Sequence, residues 1–130
     1  MNLRAAMVLV VDDNQLNLEL VTEVLSAAGY VIRQAASGEQ ALQSVRCEPP
    51  DLILMDIGLP GMDGHAAVRA LKANPATAPI PTVALTAFAM GGDGQQALDS
   101  GFDGYITKPL HTRTLARTVA RFLEQGGPSA

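Results

Sequence analysis

The sequence has few cysteines and no long hydrophobic run, and each shortage excludes a class of protein. Its one cysteine, Cys47, cannot form an intrachain disulfide, and no cysteine spacing typical of a metal site is present. A reducing compartment is therefore expected. The apolar run nearest the N-terminus, residues 7–11, has only five residues, which is too short for a signal peptide or a membrane span. We expect a soluble, cytoplasmic protein without a membrane segment.

Basic residues are also scarce. Nine lysines and arginines stand against 13 aspartates and glutamates, which gives a formal net charge of −4. This balance is unfavourable for non-specific binding to nucleic acids or membrane surfaces. Hydrophobic residues make up 48% of the chain and charged residues 17%, a composition typical of a folded domain. The length of 130 residues fits one domain, residues 1–130, with a short tail at 125–130.

Short apolar runs alternate five times with segments of helical periodicity. The predicted strands are residues 7–11, 30–35, 52–55, 82–85 and 105–107, the second of them at a sheet edge. Two predicted helices begin after Asn14 and after Ser37. Three more cover residues 64–74, about 93–101 and 112–124. This alternation predicts an α/β fold, with a parallel sheet covered by helices on both faces. The apolar residues at helical spacing in the first helix predict its buried stripe: Leu16, Leu20, Val21, Val24, Leu25 and Ala28.

The stretch at 51–64, DLILMDIGLPGMDG, combines a strand with an acid. Residues 52–55 are all apolar, as expected for a strand covered on both faces. The run ends at Asp56, and a turn rich in glycine and proline follows. Aspartate is a poor strand former and needs a partner when it is buried. Asp56 therefore indicates a function at this end of the strand.

Other polar residues follow the predicted strands in the same way. Asp12 and Asp13 follow the first strand, Thr86 follows the fourth, and Lys108 follows the fifth. Because the carboxyl ends of parallel strands form one edge of the sheet, we expect these residues to lie near Asp56. Each of them alone has an ordinary explanation, such as a solvated turn or a surface charge. Chance does not readily explain all of them together.

These groups suggest a particular chemistry. Three carboxylates at close range need a counter-charge, and oxygen ligands without a nearby histidine or cysteine favour Mg²⁺. An aspartate nucleophile, an ammonium group and a hydroxyl group remain. This set fits phosphoryl transfer to Asp56, with the charge of the transferred group shared among Mg²⁺, Lys108 and Thr86.

Four motifs, VLVVDDN, DLILMDIGLPGMDG, PTVALTAFA and DGYITKP, occur in this order along the chain. Over residues 7–124 the chain resembles the receiver domain of two-component response regulators, either of the single-domain type or of the type found in hybrid kinases. The resemblance implies a doubly wound, flavodoxin-like sheet with strand order 2-1-3-4-5 and five helices.

The resemblance also implies roles for the site residues. Asp56 would accept a phosphoryl group from a phosphohistidine of a sensor histidine kinase or a histidine phosphotransfer protein. Asp13 would bind Mg²⁺ directly and Asp12 largely through water, with Asp56 and the backbone carbonyl of Gly58 completing the site. Lys108 would pair with the phosphoryl oxygens, and its peptide bond to Pro109 is expected to be cis.

A conformational switch is a further implication of the resemblance. Thr86 would move to hydrogen-bond to the phosphoryl group, and Tyr105 would turn inward into the space left behind. The alternative for Tyr105 is an amphipathic aromatic residue that covers the end of the sheet. A downstream protein would bind the face formed by the fourth helix, the fifth strand and the last helix. Arg113, Arg117 and Arg121 of the last helix form either its solvated side or part of that docking surface.

The fourth predicted helix and the residues after the last helix each lead to a further expectation. Gly91, Gly92 and Gly94 weaken the fourth predicted helix, which we expect to become ordered on phosphorylation or partner binding. Nothing after the last helix could bind DNA, so we expect no DNA-binding domain.

Two other functions fit parts of the pattern. An aspartyl-phosphate phosphatase similar to the haloacid dehalogenase family would carry an acid two residues after its nucleophile, where this chain has Gly58, and a cap over its substrate. A flavin- or nucleotide-binding protein would need a glycine-rich turn after the first strand, and this chain has none. The pattern therefore favours a signalling switch.

Overall fold

The computed structural model describes residues 6–57, 64–86, 101–107 and 112–126. Its strands are β1 (Met7–Val11), β2 (Val31–Ala35), β3 (Leu52–Asp56), β4 (Thr82–Thr86) and β5 (Gly104–Thr107). Its helices are α1 (Gln15–Ala27), α2 (Gly38–Cys47), α3 (Gly64–Ala73) and α4 (Thr112–Gly126). The helix predicted at 93–101 lies outside the described residues, so the prediction of five helices is not tested.

All five strands run parallel, in the order β2-β1-β3-β4-β5. This order confirms the predicted doubly wound, flavodoxin-like sheet, including the edge position of β2. The central strands β1 and β3 carry almost only apolar side chains because helices cover both faces of the sheet. All five residues of β1 and the first four of β3 are buried.

The core consists of two layers, one on each face of the sheet. Alternate residues of a strand face opposite sides, so Leu9 and Ile53 belong to the layer under α2 and α3, whereas Val8 and Leu54 belong to the other. That second layer contains Leu18, Val21 and Leu25 of α1 together with Leu115 and Val119 of α4. None of the described helices combines the length and apolar character that crossing a membrane requires.

Local sequence signals set the helix ends. Asn14 has an extended backbone, and its side chain accepts hydrogen bonds from the backbone N–H groups of Leu16 and Asn17, which caps the start of α1. Ser37 caps α2 in the same way through the N–H of Gln40. After α1, Gly29 adopts a φ of 101°, a conformation that glycine takes without strain.

The predicted buried stripe of α1 was wrong at three of its six positions. Leu16 is 75% exposed, Leu20 is 38% exposed and Ala28 is also exposed, whereas Leu18, which was not predicted, is buried. The stripe that packs on the sheet is Leu18, Val21 and Leu25. Two residues along a helix correspond to a rotation of about 200°, so Leu16 and Leu18 cannot both face the sheet. The leucines of this helix form two overlapping stripes, and tertiary packing selects one of them.

Candidate functional site

Asp12 follows β1 and is only 1% exposed. Its backbone N–H donates to the carbonyl of Ala35 at 3.0 Å, which fixes the chain as it leaves the sheet. Its Oδ1 accepts the backbone N–H of Asn14 at 2.9 Å, and its Oδ2 accepts a hydrogen bond from Nδ2 of Asn17 at 3.2 Å. A buried carboxylate needs such donors to retain its charge. The first turn of α1 therefore holds this side chain.

Three carboxylates meet beyond the ends of β1 and β3. The two strands are neighbours, and Val11 pairs with Met55, so the next residues, Asp12 and Asp56, lie at the same level. Asp13 is exposed and Asp56 half-buried. Each acid offers one oxygen atom, and these three oxygens lie within 4.8 Å of one another. The structure thus brings together the three acids that the sequence places at strand ends.

The remaining predicted site residues are described only in part. Thr86 is the last residue of β4, and its neighbour Leu85 pairs with Asp56, so its backbone lies at the same edge of the sheet. Tyr105 of β5 pairs with Ala84 of β4 and is 40% exposed. Gly58 and Lys108 lie outside the described residues.

The start of α3 packs directly against the backbone of Asp56. The N–H of Gly64 donates to the carbonyl of Ile57 at 3.0 Å. A Cβ atom at Gly64 would lie 2.7 Å from the carbonyl oxygen of Asp56 and 2.9 Å from Cα of Ile57. No side chain fits at that distance, so glycine is required for this approach. The sequence shows the glycine at a helix start, but the close packing depends on the folded structure.

The acid cluster has the donor set of a hard divalent cation. Carboxylate oxygens crowded within 4.8 Å repel one another unless a positive charge lies between them. Mg²⁺ prefers oxygen ligands and binds one or two carboxylates while it keeps several waters. Asp12 is buried and Asp13 is exposed, so the cluster reaches from the end of the sheet to the solvent. The residues present therefore fit Mg²⁺.

Comparison with known proteins agrees with the fold. The chain matches the response regulator receiver domain family over residues 8–120. It is 41% identical over 122 residues to the sensor histidine kinase GacS of Pseudomonas protegens, a match that covers 92% of this chain and 13% of GacS. It is 39% identical over 116 residues to the polar-differentiation response regulator DivK of Brucella ovis, covering 89% of this chain and 94% of DivK.

A solved structure shows the same similarity. The receiver domain of the sensor histidine kinase PA1611 from Pseudomonas aeruginosa superimposes with a TM-score of 0.86 at 34% identity, covering 93% of this chain and 99% of that one. That receiver has a magnesium ion coordinated in its active-site cleft. The parallel sheet in the order 2-1-3-4-5 is that of flavodoxin-like folds, and the match over residues 8–120 shows that this chain belongs to the response regulator receiver domain family. Receiver domains act as signalling switches in two-component systems rather than as classical enzymes, and the family assignment gives no support to a phosphatase.

Proposed function

We propose that this chain is a phosphoacceptor switch in which Asp56 takes a phosphoryl group from a phosphohistidine. The donor is a sensor histidine kinase or a histidine phosphotransfer protein in the cytoplasm. The observation that supports this most directly is the grouping of the oxygens of Asp12, Asp13 and Asp56 within 4.8 Å, on a fold of the receiver family. The match to a histidine kinase and to a response regulator supports this kind of partner.

Mg²⁺ is the proposed cofactor, as in the PA1611 receiver. Asp13, which is exposed, would hold it directly. Asp12, already engaged by Asn14 and Asn17, would contribute through water, and Asp56 and the backbone carbonyl of Gly58 would supply the remaining ligands. When bound, the cation supplies positive charge that offsets the charge of the phosphoryl oxygens and the three carboxylates.

The chain's own residues carry the transfer. A carboxylate oxygen of Asp56 forms a new bond to phosphorus while the phosphorus–nitrogen bond of the donor breaks, and the bonding electron pair leaves with the imidazole. Asp56 is half-buried at the strand end, so it is held by β3 and still open to a donor from solvent. The Lys108 ammonium and the Thr86 hydroxyl bind the phosphoryl oxygens. The only reactions this chain assists are its own phosphorylation and dephosphorylation.

The phosphorylated chain then changes its protein partners. Thr86 hydrogen-bonds to the phosphoryl group and Tyr105 turns inward, a population shift between two arrangements. Tyr105 is 40% exposed in the present arrangement, which gives it room to move. The downstream protein binds the face that includes β5 and α4, on which Arg117 and Arg121 are exposed.

Labelling with a small phosphodonor tests the proposal. Incubation with Mg²⁺ and radiolabelled acetyl phosphate is expected to give one acid-stable, base-labile phosphoryl group per chain. Asp56→Asn is expected to lose this label because an amide is not a nucleophile for phosphorus.

Asp51→Asn is the matched control, since Asp51 directly precedes β3 and accepts the backbone N–H of Met7 at 2.7 Å, at the other end of the same strand. This variant should label as the parent chain does. Equal labelling of the Asp56→Asn variant, or many turnovers of the donor per chain without a stable label, would contradict the proposed function.

A further inference from the structure

Asn17 is the third residue of α1. Its backbone hydrogen-bonds to the capping residue Asn14, and its side chain hydrogen-bonds to Asp12. Its backbone N–H donates to Oδ1 of Asn14 at 3.2 Å. Its side-chain Nδ2 donates to Oδ2 of Asp12 at 3.2 Å, while the backbone N–H of Asn14 donates to Oδ1 of the same carboxylate at 2.9 Å. Each oxygen of Asp12 thus accepts a hydrogen bond from the first turn of α1.

This arrangement differs from a capping box. In a capping box, a glutamate or glutamine at the third helical position accepts the backbone N–H of the capping residue. Here the N–H of the capping residue, Asn14, goes to Asp12, and the third helical residue donates to Asp12 as well. Two hydrogen bonds of this helix start therefore go to the acid, beside the ordinary cap that Asn14 provides.

The two donors restrict Asp12 in different ways. A carboxylate held at one oxygen can still rotate about that contact, but one held at both oxygens has a fixed plane. A carboxylate oxygen has two lone pairs, so it can accept a hydrogen bond and also face a cation or its water. The amide of Asn17 is uncharged, so it orients Asp12 without competing with a cation for the negative charge.

We propose that Asn17 is a positioning residue for the cation site: it sets the plane of the Asp12 carboxylate and thereby raises Mg²⁺ affinity. The inference rests on the proposed function, since it takes the acid cluster to be a Mg²⁺ site. Groups that orient a direct metal ligand through a hydrogen bond typically change metal affinity about 10- to 100-fold. Asp12 would act through water, so the lower end of this range is expected for Asn17.

The test is Asn17→Leu, which keeps the side-chain size and removes the donor. Mg²⁺ is titrated into isotopically labelled protein while the backbone amide resonances of the acid cluster are followed by NMR. The dissociation constant is expected to rise roughly 10-fold. Thr22→Val is the matched control, because Thr22 also lies on α1 and its Oγ1 accepts a side-chain hydrogen bond from Gln34 at 2.7 Å, away from the acids. It should leave the dissociation constant unchanged.

A double-mutant cycle with Asp12→Asn separates positioning from a general effect on α1. If Asn17 acts through Asp12, Asn17→Leu adds no further loss of Mg²⁺ affinity in the Asp12→Asn background. An unchanged dissociation constant for Asn17→Leu alone, or the same loss repeated in the double variant, would overturn the inference while Asp56 still labels. Absence of Mg²⁺ binding by the parent chain would instead overturn the proposed function together with the inference built on it.

Discussion

At the scale of single residues, the site depends on contacts that leave little room for change. Asp12 is buried and accepts hydrogen bonds from the backbone of Asn14 and the side chain of Asn17. Gly64 leaves no space for a side chain beside the carbonyl of Asp56. The backbone after Asp56 is further fixed because the N–H of Ile57 donates to the carbonyl of Leu85 at 3.2 Å. The backbone at Asp56 is therefore held by its neighbours on β4 and α3.

Gly64→Ala is expected to slow labelling of Asp56 and to lower the free energy of unfolding by about 1–3 kcal/mol, because the new methyl group overlaps the backbone of Asp56 and Ile57. The labelling rate with acetyl phosphate and a urea titration measure the two effects. Gly29→Ala is the control: Gly29 has a φ of 101° and nothing within 4 Å of an added Cβ. It should also lose stability, through backbone strain, but it should label normally. Equal labelling rates in the two variants would refute a role for Gly64 at the acceptor.

At the scale of elements, one lysine joins the end of α3 to two strands. Nζ of Lys72 donates to the carbonyls of Ala78 and Ile80 and to Oδ2 of Asp103, at 2.8, 2.9 and 2.9 Å. The same Oδ2 accepts the N–H of Thr82 at 2.8 Å. An ammonium group has three donors, and all three are used here. This cluster fixes the entries to β4 and β5, which lie at the opposite end of the sheet from the acids.

Lys72→Met keeps most of the apolar stem and removes the ammonium group, so we expect the free energy of unfolding to fall by roughly 2 kcal/mol. The midpoint of a urea titration measures the change. Glu48→Gln is the comparison, since its ion pair with Arg33 at 3.4 Å is on the surface, and such pairs contribute roughly 0–1 kcal/mol. A smaller effect for Lys72→Met than for Glu48→Gln would show that the cluster does not stabilise the strand entries.

At the scale of the whole molecule, the sheet combines an apolar core with a group of closely spaced carboxylates at the carboxyl ends of its strands. Two apolar layers enclose β1 and β3, while three carboxylates are held close together where these strands end. Repulsion between like charges opposes folding, and a cation bound among the three carboxylates would offset it. Folding stability and cation binding are therefore linked.

Mg²⁺ at roughly ten times its dissociation constant should raise the free energy of unfolding by about 1.4 kcal/mol. Thermal unfolding with MgCl₂, compared with NaCl at the same ionic strength, measures this gain. Asp13→Asn is expected to be more stable than the parent chain in EDTA, because one repelling charge is gone, and to show little gain from Mg²⁺. An equal Mg²⁺ gain in this variant would contradict the assignment of the cation to the acid cluster.

The sequence predicts the sheet well and the detailed contacts poorly. The strands at 7–11 and 52–55 are apolar runs that stop at an acid, and the structure reproduces them within one residue. The exposure of Leu16 was predicted wrongly because periodicity alone cannot choose between overlapping stripes. The meeting of Asp12 with Asp56 follows from parallel topology. The contacts of Asn17, Gly64 and Lys72 do not, since they depend on how the elements pack. The roles of Gly58, Thr86, Tyr105 and Lys108 stay predictions.

The pairing register of β1 and β3 determines whether the acid cluster forms. Asp12 and Asp56 are 44 positions apart in the chain and meet only because Val11 pairs with Met55. A one-residue slip would turn the apolar side chains of a strand to the opposite faces and would also move the acids out of reach of one another. A misfolded or nascent chain therefore has no assembled acceptor. On the proposed function, a chain can accept a phosphoryl group only after these strands have paired in the native register.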